Sequence, residues 1–546
     1  MASWIKDVLS RSPLAQYGKT LRSAPREMLS NRRMILTAML YATCAVPLTW
    51  DQCSSATVPS LKGFEEFFGI DSGTNANAIK NFVSLPFVGS AAGAALSFLF
   101  NDRLGRLWSF RVYAFVYTIG QMIAVAAPNT AALYAARVVT GLGIGALTVT
   151  GPMSLAEIAP AEIRGLICAW FPVAMGLAHF CAVFSVYGIT LHVAPSRLQY
   201  QINFFVPCIY LSFWVVASFF LCESPRWLFM TDKSDQAVRV LYELRGLPMD
   251  SPRLQWELEE TRTSMQQEMS TGHSYTTVIR EAFTKKSNLR RIQQVLICYA
   301  LPQLSGANTI SSYFVPILEI IGVQGSGTHK IFLTGMYTMA RFFFALITSF
   351  FLIDALGRRK SLFLGITLQM IGDIYIGTYL KVGNSSDAAS SQAAIAMIFI
   401  HSFGYSAGLL TLPYVFGGEL WPNNIRSFGA AFGQTFHWLF SYAMNYALPS
   451  LLDATDNWGA FIFFASWCFT AILYVFFVVP EIAGLSVEEI EQVFRGPWFT
   501  AWRSTRFEKG VDVVDGREVE GGKGSTTSDQ VEDVREEHGG KSDTGL

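Results

Sequence analysis

Asp102-Arg103-Leu104-Gly105-Arg106 and Asp354-Ala355-Leu356-Gly357-Arg358-Arg359 are two versions of one charged loop, each placed directly after a long apolar run. Two further signatures recur in the same order. Glu157 precedes Arg164 by seven positions and Glu419 precedes Arg426 by the same interval. Glu223 then closes one apolar run and Glu481 closes another. Acid and arginine signatures that repeat in order predict two equivalent halves joined by an insert.

Outward from these loops, apolar stretches of about 20 residues, enough to cross a hydrocarbon core, recur from Met34 to Val479. The approximate spans are 34–57, 79–100, 108–127, 131–153, 165–188, 201–222, 292–320, 331–354, 361–381, 392–416, 427–451 and 458–479. The expected fold is an all-α membrane protein, with twelve transmembrane helices in two pseudo-symmetric six-helix bundles. Pro47, Pro86, Pro172 and Pro413 fall inside spans, where neighbouring helices can satisfy the freed backbone groups. The expected domains are a cytoplasmic N-terminal segment 1–33, a bundle 34–222, a cytoplasmic helical linker 223–291, a second bundle 292–479 and a cytoplasmic tail 480–546. From about Gly510 the tail has almost no large apolar residues and is expected to be disordered. In the linker, Gln255 to Met269 reads as a helix polar all round, lying over the cytoplasmic face.

Composition agrees with a membrane chain. Hydrophobic residues make up 51% and charged residues 15%, against the roughly 25% charged of a soluble domain. Formal net charge is zero, so bulk electrostatics indicates no nucleic-acid partner. Lys6, Arg11, Lys19, Arg22, Arg26, Arg32 and Arg33 precede the first span, and the repeated loops add Arg103, Arg106, Arg111, Arg358, Arg359 and Lys360. Basic residues stay cytoplasmic, so both termini are expected inside. The sequon Asn384-Ser385-Ser386 then falls outside, as a possible glycosylation site. The eight cysteines lie in spans or at their edges without metal-ligand spacing, and read as packing residues. The basic leader and the length of the first apolar segment argue against a cleavable signal peptide.

Ionisable residues inside spans are functional candidates by default. Asp51 sits near the outer end of span 1, and Arg137 lies about six residues into span 4, at similar depth. Arg341 and Asp373 likewise fall at similar depth, near the midplane of spans 8 and 9. Mutual neutralisation of Arg341 and Asp373 is the expectation, with contact between Arg341 and a solute carboxylate as the alternative. His179 and His401 read as hydrogen-bonded packing residues, and Gly141-Leu142-Gly143-Ile144-Gly145 as a close helix contact rather than a phosphate loop. No motif supplies a nucleophile with its base or a cofactor cradle, so an enzyme is not expected.

Together with Arg137 before Gly141-x-Gly143, Glu157-Ile158-Ala159-Pro160 with Arg164-Gly165, Glu223-Ser224-Pro225-Arg226-Trp227-Leu228, Gln303-Leu304-Ser305-Gly306-Ala307-Asn308 and Pro480-Glu481-x-x-Gly484-Leu485-Ser486, the repeated loops resemble the sugar porter family of the major facilitator superfamily. The resemblance covers nearly the whole chain outside its tails. Tyr187 to Arg197 and the basic residue at Arg341 look like the fungal hexose and quinate permease-like branch. It implies a secondary active transporter: proton symport of a sugar or related polyhydroxylated molecule by alternating access, with no cofactor. It also implies a multi-pass protein of the plasma membrane, for which a monomer suffices.

The resemblance implies Asp51 and Arg137 as the proton-coupling pair, although a permanent structural pair is the rival reading. It implies Gln303, Asn308, Tyr414, His437 and Trp438 as solute contacts, with Arg341 added for an acid. Asp102, Arg106, Glu157, Arg164, Glu223, Arg358, Glu419, Arg426 and Glu481 form the expected cytoplasmic gate, pairing across the two bundles. The chain departs from the family at Pro172, Pro302, Phe342, Tyr414 and His437, where amides or tryptophan are usual, and this weakens the case for a simple hexose. The alternatives are transport of a hydroxy acid such as quinate, export of a secondary metabolite, or a non-transporting nutrient sensor.

Overall fold

The computed structural model describes residues 18, 26–70, 76–160, 163–270, 275–323, 325–352, 356–382, 388–410, 420–421, 425–481, 493–494 and 498–499. Tyr414, Glu419, Asp354, Asn384 and the tail beyond 510 lie outside the described residues.

Among the described residues, ten helical segments are long and apolar enough to cross a membrane: Arg32–Ser60, Asn77–Leu104, Arg106–Ala126, Thr130–Ile158, Arg164–His192, Leu198–Ser218, Gly327–Phe351, Arg358–Val382, Ser390–Leu410 and Trp458–Phe477. The other two expected spans are helical but differ in character. Arg426–Ala454 is one 29-residue helix. The region expected to span 292–320 is broken instead, into Lys286–Leu304, Ala307–Ser312 and Phe314–Ile320. The break falls at Ser305-Gly306, where Gly306 takes φ +77° and a Cβ would meet the Phe464 ring at 2.5 Å. Only glycine meets both demands there.

Proline positions follow the same local physics. Pro47 stands in the first turn of Val46–Thr57, after a 3₁₀ turn at Thr43–Ala45, where a missing N–H costs least. The Gly141 to Gly145 stretch is a helix contact, as expected. A Cβ on Gly141 would lie 2.1 Å from the Pro86 carbonyl oxygen, and one on Gly145 would lie 1.8 Å from that of Ser90. Helix Thr130–Ile158 therefore packs backbone against backbone on helix Ala76–Leu104.

Helices before the linker pack mainly on one another, as do those after it. The two groups meet where Ala76–Leu104 lies on Arg426–Ala454 and where Trp170–His192 lies on Gly327–Ile347. Between the groups run Pro225–Met230, Ser234–Arg245, Pro252–Ser270 and Tyr275–Thr284. The third of these is not polar all round. Leu254, Leu258 and Met265 are buried against Trp227, Leu228, Phe229, Ala237 and Leu241, which gives the linker a small core of its own. Three apolar residues among many charges suffice for a narrow seam and are easily overlooked in composition.

Candidate functional site

A central cavity of about 50 Å³ is lined from both groups of helices, with room for a few waters. Thr49, Gln52, Pro172 and His179 come from the first group, and Asn308, Arg341, Phe342, Tyr405, His437 and Trp438 from the second. The positions that depart from the family pattern are thus in the wall itself: Pro172, Pro302, Phe342 and His437 all face the cavity. Tyr414 lies outside the described residues.

The break at Ser305-Gly306 sets the polar part of this wall. Gln303 ends one helical segment and Asn308 begins the next. Asn308 Nδ2 donates to Gln303 Oε1 at 3.3 Å, and Gln303 Nε2 lies 3.4 Å from His437 Nδ1. Tyr405 Oη donates to Asn308 Oδ1 at 2.9 Å, and Arg341 donates to the same oxygen at 3.3 Å. Trp438 donates through Nε1 to Thr148 Oγ1 at 3.4 Å and stacks on Phe87, with centroids 6.0 Å apart. It thereby bridges the two groups of helices.

Arg341 is not paired with Asp373, contrary to expectation. Its donors go to Ser311 Oγ and Asn308 Oδ1, and its guanidinium lies 4.8 Å from the Tyr405 ring centroid. Among the described residues no carboxylate reaches it. Asp373 turns elsewhere, with His401 Nε2 3.5 Å from its Oδ1. The two residues share a depth, but helix Arg358–Val382 packs on Ala388–Tyr405 and Trp458–Phe477, whereas helix Gly327–Ile347 packs on Trp170–His192.

Asp51 and Arg137 do meet. Arg137 donates to Asp51 Oδ1 and Ser55 Oγ, and through Nε to the Phe82 carbonyl at 3.2 Å. The guanidinium also sits 4.5 Å from the Phe82 ring centroid. Ser55, four residues after Asp51 and on the same helix face, was not anticipated, although that spacing would have found it. Tyr405 and Ser311 were missed because no charge marks them.

Among the described residues, Arg106, Glu157, Glu223 and Glu481 make bonds within their own group of helices. Arg106 makes two bonds to Glu157, at 2.9 and 2.7 Å, and one to Asp102 at 3.0 Å. Ser224 Oγ also donates to Glu157. Glu223 accepts the backbone N–H groups of Arg106 at 2.9 Å and Leu107 at 3.1 Å. In the second group Glu481 accepts those of Arg358 and Arg359, both at 3.0 Å. Each terminal acid therefore caps the helix that the repeated loop begins, where the helix dipole favours a negative charge. The loop glycine makes room for it. Gly105 and Gly357 have φ +90° and +86°, and a Cβ on them would lie 2.7 and 2.8 Å from Oε2 of Glu223 and Glu481. Burial pushes the Glu223 carboxyl above its ordinary range, opposed by the N–H groups it accepts. Arg164 is exposed at the start of Arg164–Cys168, and Arg426 opens the Arg426–Ala454 helix.

Residues 37–494 match the family described as Sugar (and other) transporter. A protein of Aspergillus flavus named "Probable quinate permease" is 28% identical over 486 residues, covering 87% of this chain and 90% of the relative. A protein of the same name from Aspergillus niger is 28% identical over 487 residues, with the same coverage. Among solved structures, the proton:xylose symporter XylE bound to 6-bromo-6-deoxy-D-glucose superposes with a TM-score of 0.72 at 19% identity, covering 85% of this chain and 99% of that one. The inward-open form of XylE from E. coli gives 0.67 at 18% identity, covering 84% and 99%. At these identities the likeness speaks to the fold, which is that of the major facilitator superfamily.

Proposed function

The chain belongs to the sugar (and other) transporter family, and we propose that it is a proton-coupled symporter of a polyhydroxylated carboxylate, working by alternating access between its two six-helix halves. It is a multi-pass membrane transporter and not an enzyme. One observation carries the choice of solute: Arg341 lines the central cavity, buried, with no carboxylate partner among the described residues. A buried charge without a counter-charge is costly, and an anionic solute would supply one. The Aspergillus relatives, named probable quinate permeases, support the same class.

In this scheme Arg341 holds the carboxylate while Gln303, Asn308 and His437 match hydroxyls. Trp438 covers an apolar face of the solute, and Tyr414 is a further contact. Asp51 and Arg137 couple the proton: protonation of Asp51 ends its ionic pull on Arg137 and frees the helices the pair holds together. The clusters around Arg106 and Glu481 stiffen the linker-side end of each half, and Arg164, Arg358, Glu419 and Arg426 complete that gate. The chain acts as a monomer in the plasma membrane, with both termini cytoplasmic. A neutral sugar is the second reading, favoured by the Asn308 amide that lines the cavity and by the Gln303 amide hydrogen-bonded to it.

Uptake by transporter-deficient yeast tests the choice, with labelled quinate, hexoses, pentoses and polyols offered at acidic and neutral pH, with and without a protonophore. Quinate accumulation that needs the gradient and fails in Arg341→Gln supports the acid. Hexose accumulation indifferent to Arg341→Gln supports the neutral reading. If the protein reaches the surface and nothing enters, uptake is wrong and export or sensing takes its place.

A further inference from the structure

We infer that Asp373 and His401 form a second proton-holding site, separate from Asp51–Arg137 and set behind the break that carries Gln303 and Asn308. Asp373 lies in the middle of helix Arg358–Val382 and is wholly buried, and His401, on helix Ala388–Tyr405, is 1% exposed. His401 Nε2 stands 3.5 Å from Asp373 Oδ1 and 3.4 Å from the carbonyl oxygen of Ser305. Among the described residues, Asp373 Oδ1 and His401 Nδ1 have no hydrogen-bond partner. The two helices approach because residue 372 is glycine, whose Cβ would lie 3.0 Å from that of His401.

The groups facing the pair are few. Helix Trp458–Phe477 presents Cys468, whose Sγ is 4.0 Å from Asp373 Oδ2. One turn on from His401, Tyr405 turns to Asn308 and to the Arg341 guanidinium of helix Gly327–Ile347. The break itself offers only the Ser305 carbonyl. Among the described residues no Lys or Arg makes an ion pair with Asp373.

A carboxylate beside a neutral imidazole, with only the Cys468 thiol at 4.0 Å as a donor among the described residues and inside a membrane, would carry a desolvation cost of several kcal/mol. One proton removes most of that cost. Shared between the two residues, as a carboxylic acid facing the imidazole or a carboxylate facing an imidazolium, it leaves the pair with net charge zero. Such a pair titrates as a unit rather than residue by residue. The proton comes from water and returns to it, and no other bond changes.

The pair also touches the solute wall. An Nε2–H of His401 points to Asp373 or to Ser305, and Ser305 lies between Gln303 and Asn308. Loss or gain of the proton therefore changes the hold on the bend at Ser305-Gly306, and with it the spacing of two wall residues. This link to the solute rests on the proposed roles of Gln303 and Asn308, whereas the proton site does not.

The test is infrared difference spectroscopy of the purified full-length chain across pH, beside uptake in cells. The expected result is a carbonyl band of a protonated buried carboxyl that titrates, survives in Asp51→Asn and disappears in Asp373→Asn. Uptake by Asp373→Asn should keep its dependence on the gradient while the midpoint of its pH profile moves by about one unit or more. Should Asp373→Asn not fold, His401→Gln must shift the same band. A wild-type spectrum in which neither a buried carboxyl band nor an imidazolium band titrates, or one unchanged by either substitution, overturns the inference, and an unmoved pH profile overturns its link to the solute. A chain that transports nothing and still shows the Asp373 band sinks the transport reading and leaves the proton site standing.

Discussion

Each half of the molecule buries one arginine and one aspartate deep in its spans, and the halves arrange them in opposite ways. In the first half Asp51 and Arg137 pair directly, with Ser55 and the Phe82 carbonyl taking up the remaining donors. In the second half Arg341 and Asp373 lie at similar depth on adjacent spans and do not meet. Arg341 faces the cavity and Asp373 faces His401. A closed pair can hold two helices and sense a proton, but it has little left for an anion. A separated pair leaves a cation in the cavity that is short of a counter-charge. On our proposal the closed pair of the first half serves the proton and Arg341 of the second half serves the solute, beside the further proton site at Asp373–His401.

The largest expected effect breaks the closed pair. Arg137→Leu leaves the Asp51 carboxylate buried and alone, and should cost roughly 3–5 kcal/mol of stability, read as a lower thermal transition of the detergent-purified protein. Adding Asp51→Asn should recover some of that loss. Arg341→Gln removes a buried charge that has no ionic partner, so it should cost far less stability than Arg137→Leu, or raise it. Equal losses in the two variants would erase the distinction between the halves.

Next in size is solute binding. Arg341→Gln should weaken binding of a polyhydroxylated carboxylate by about 1.5–3 kcal/mol, the worth of hydrogen bonds to a charged group, or roughly 10- to 100-fold. A neutral polyol of the same shape should be unaffected. Isothermal titration with quinate and with a neutral polyol reads both.

Gly145→Ala sharpens the comparison differently, by asking how rigid the first half is. Its new methyl would meet the Ser90 carbonyl at 1.8 Å, and overpacking of this kind costs about 1–3 kcal/mol. Gly188→Ala, with open space around it, should stabilise the helix by about 0.5–1 kcal/mol. Thermal melts of the two variants should move in opposite directions.

The smallest effect concerns Glu223. Its carboxyl is raised above the ordinary value by burial. The stability tied to its proton is therefore fully present below the ordinary glutamate value, and is lost as pH rises through the raised one. Glu223→Gln should flatten that acid-side decline in a melt series over pH. An unaltered decline would assign it to other groups.

Much of the fold was legible because the bilayer imposes length, and length is written in the sequence. The repeated loops, the Gly141 to Gly145 contact and the meeting of Asp51 with Arg137 all follow from spacing and depth. Depth was also what made Arg341 and Asp373 look like partners. It fixes a residue along the helix axis but not around it, and the rotation of each helix comes from packing between segments distant in sequence. The same limit explains the gate. Spacing reveals that Glu157 and Arg106 recur as a set, but not whether their partners lie in the same half. The break at Ser305-Gly306 is missed when the stretch is read by its length as one span, although Pro302, Ser305 and Gly306 in close succession are breaker residues.

The backbone seam between helices Ala76–Leu104 and Thr130–Ile158 has a mechanical consequence. Where carbonyl oxygens meet glycines along this seam few side chains separate the two helices, which favours their moving together as one beam. The second helix has 29 residues, about 43 Å at ~1.5 Å per residue. A tilt of about 5° at one end of such a beam carries the other end through roughly 4 Å. Leverage of this kind would turn a small tilt of the seam into a displacement of several ångströms at its far end.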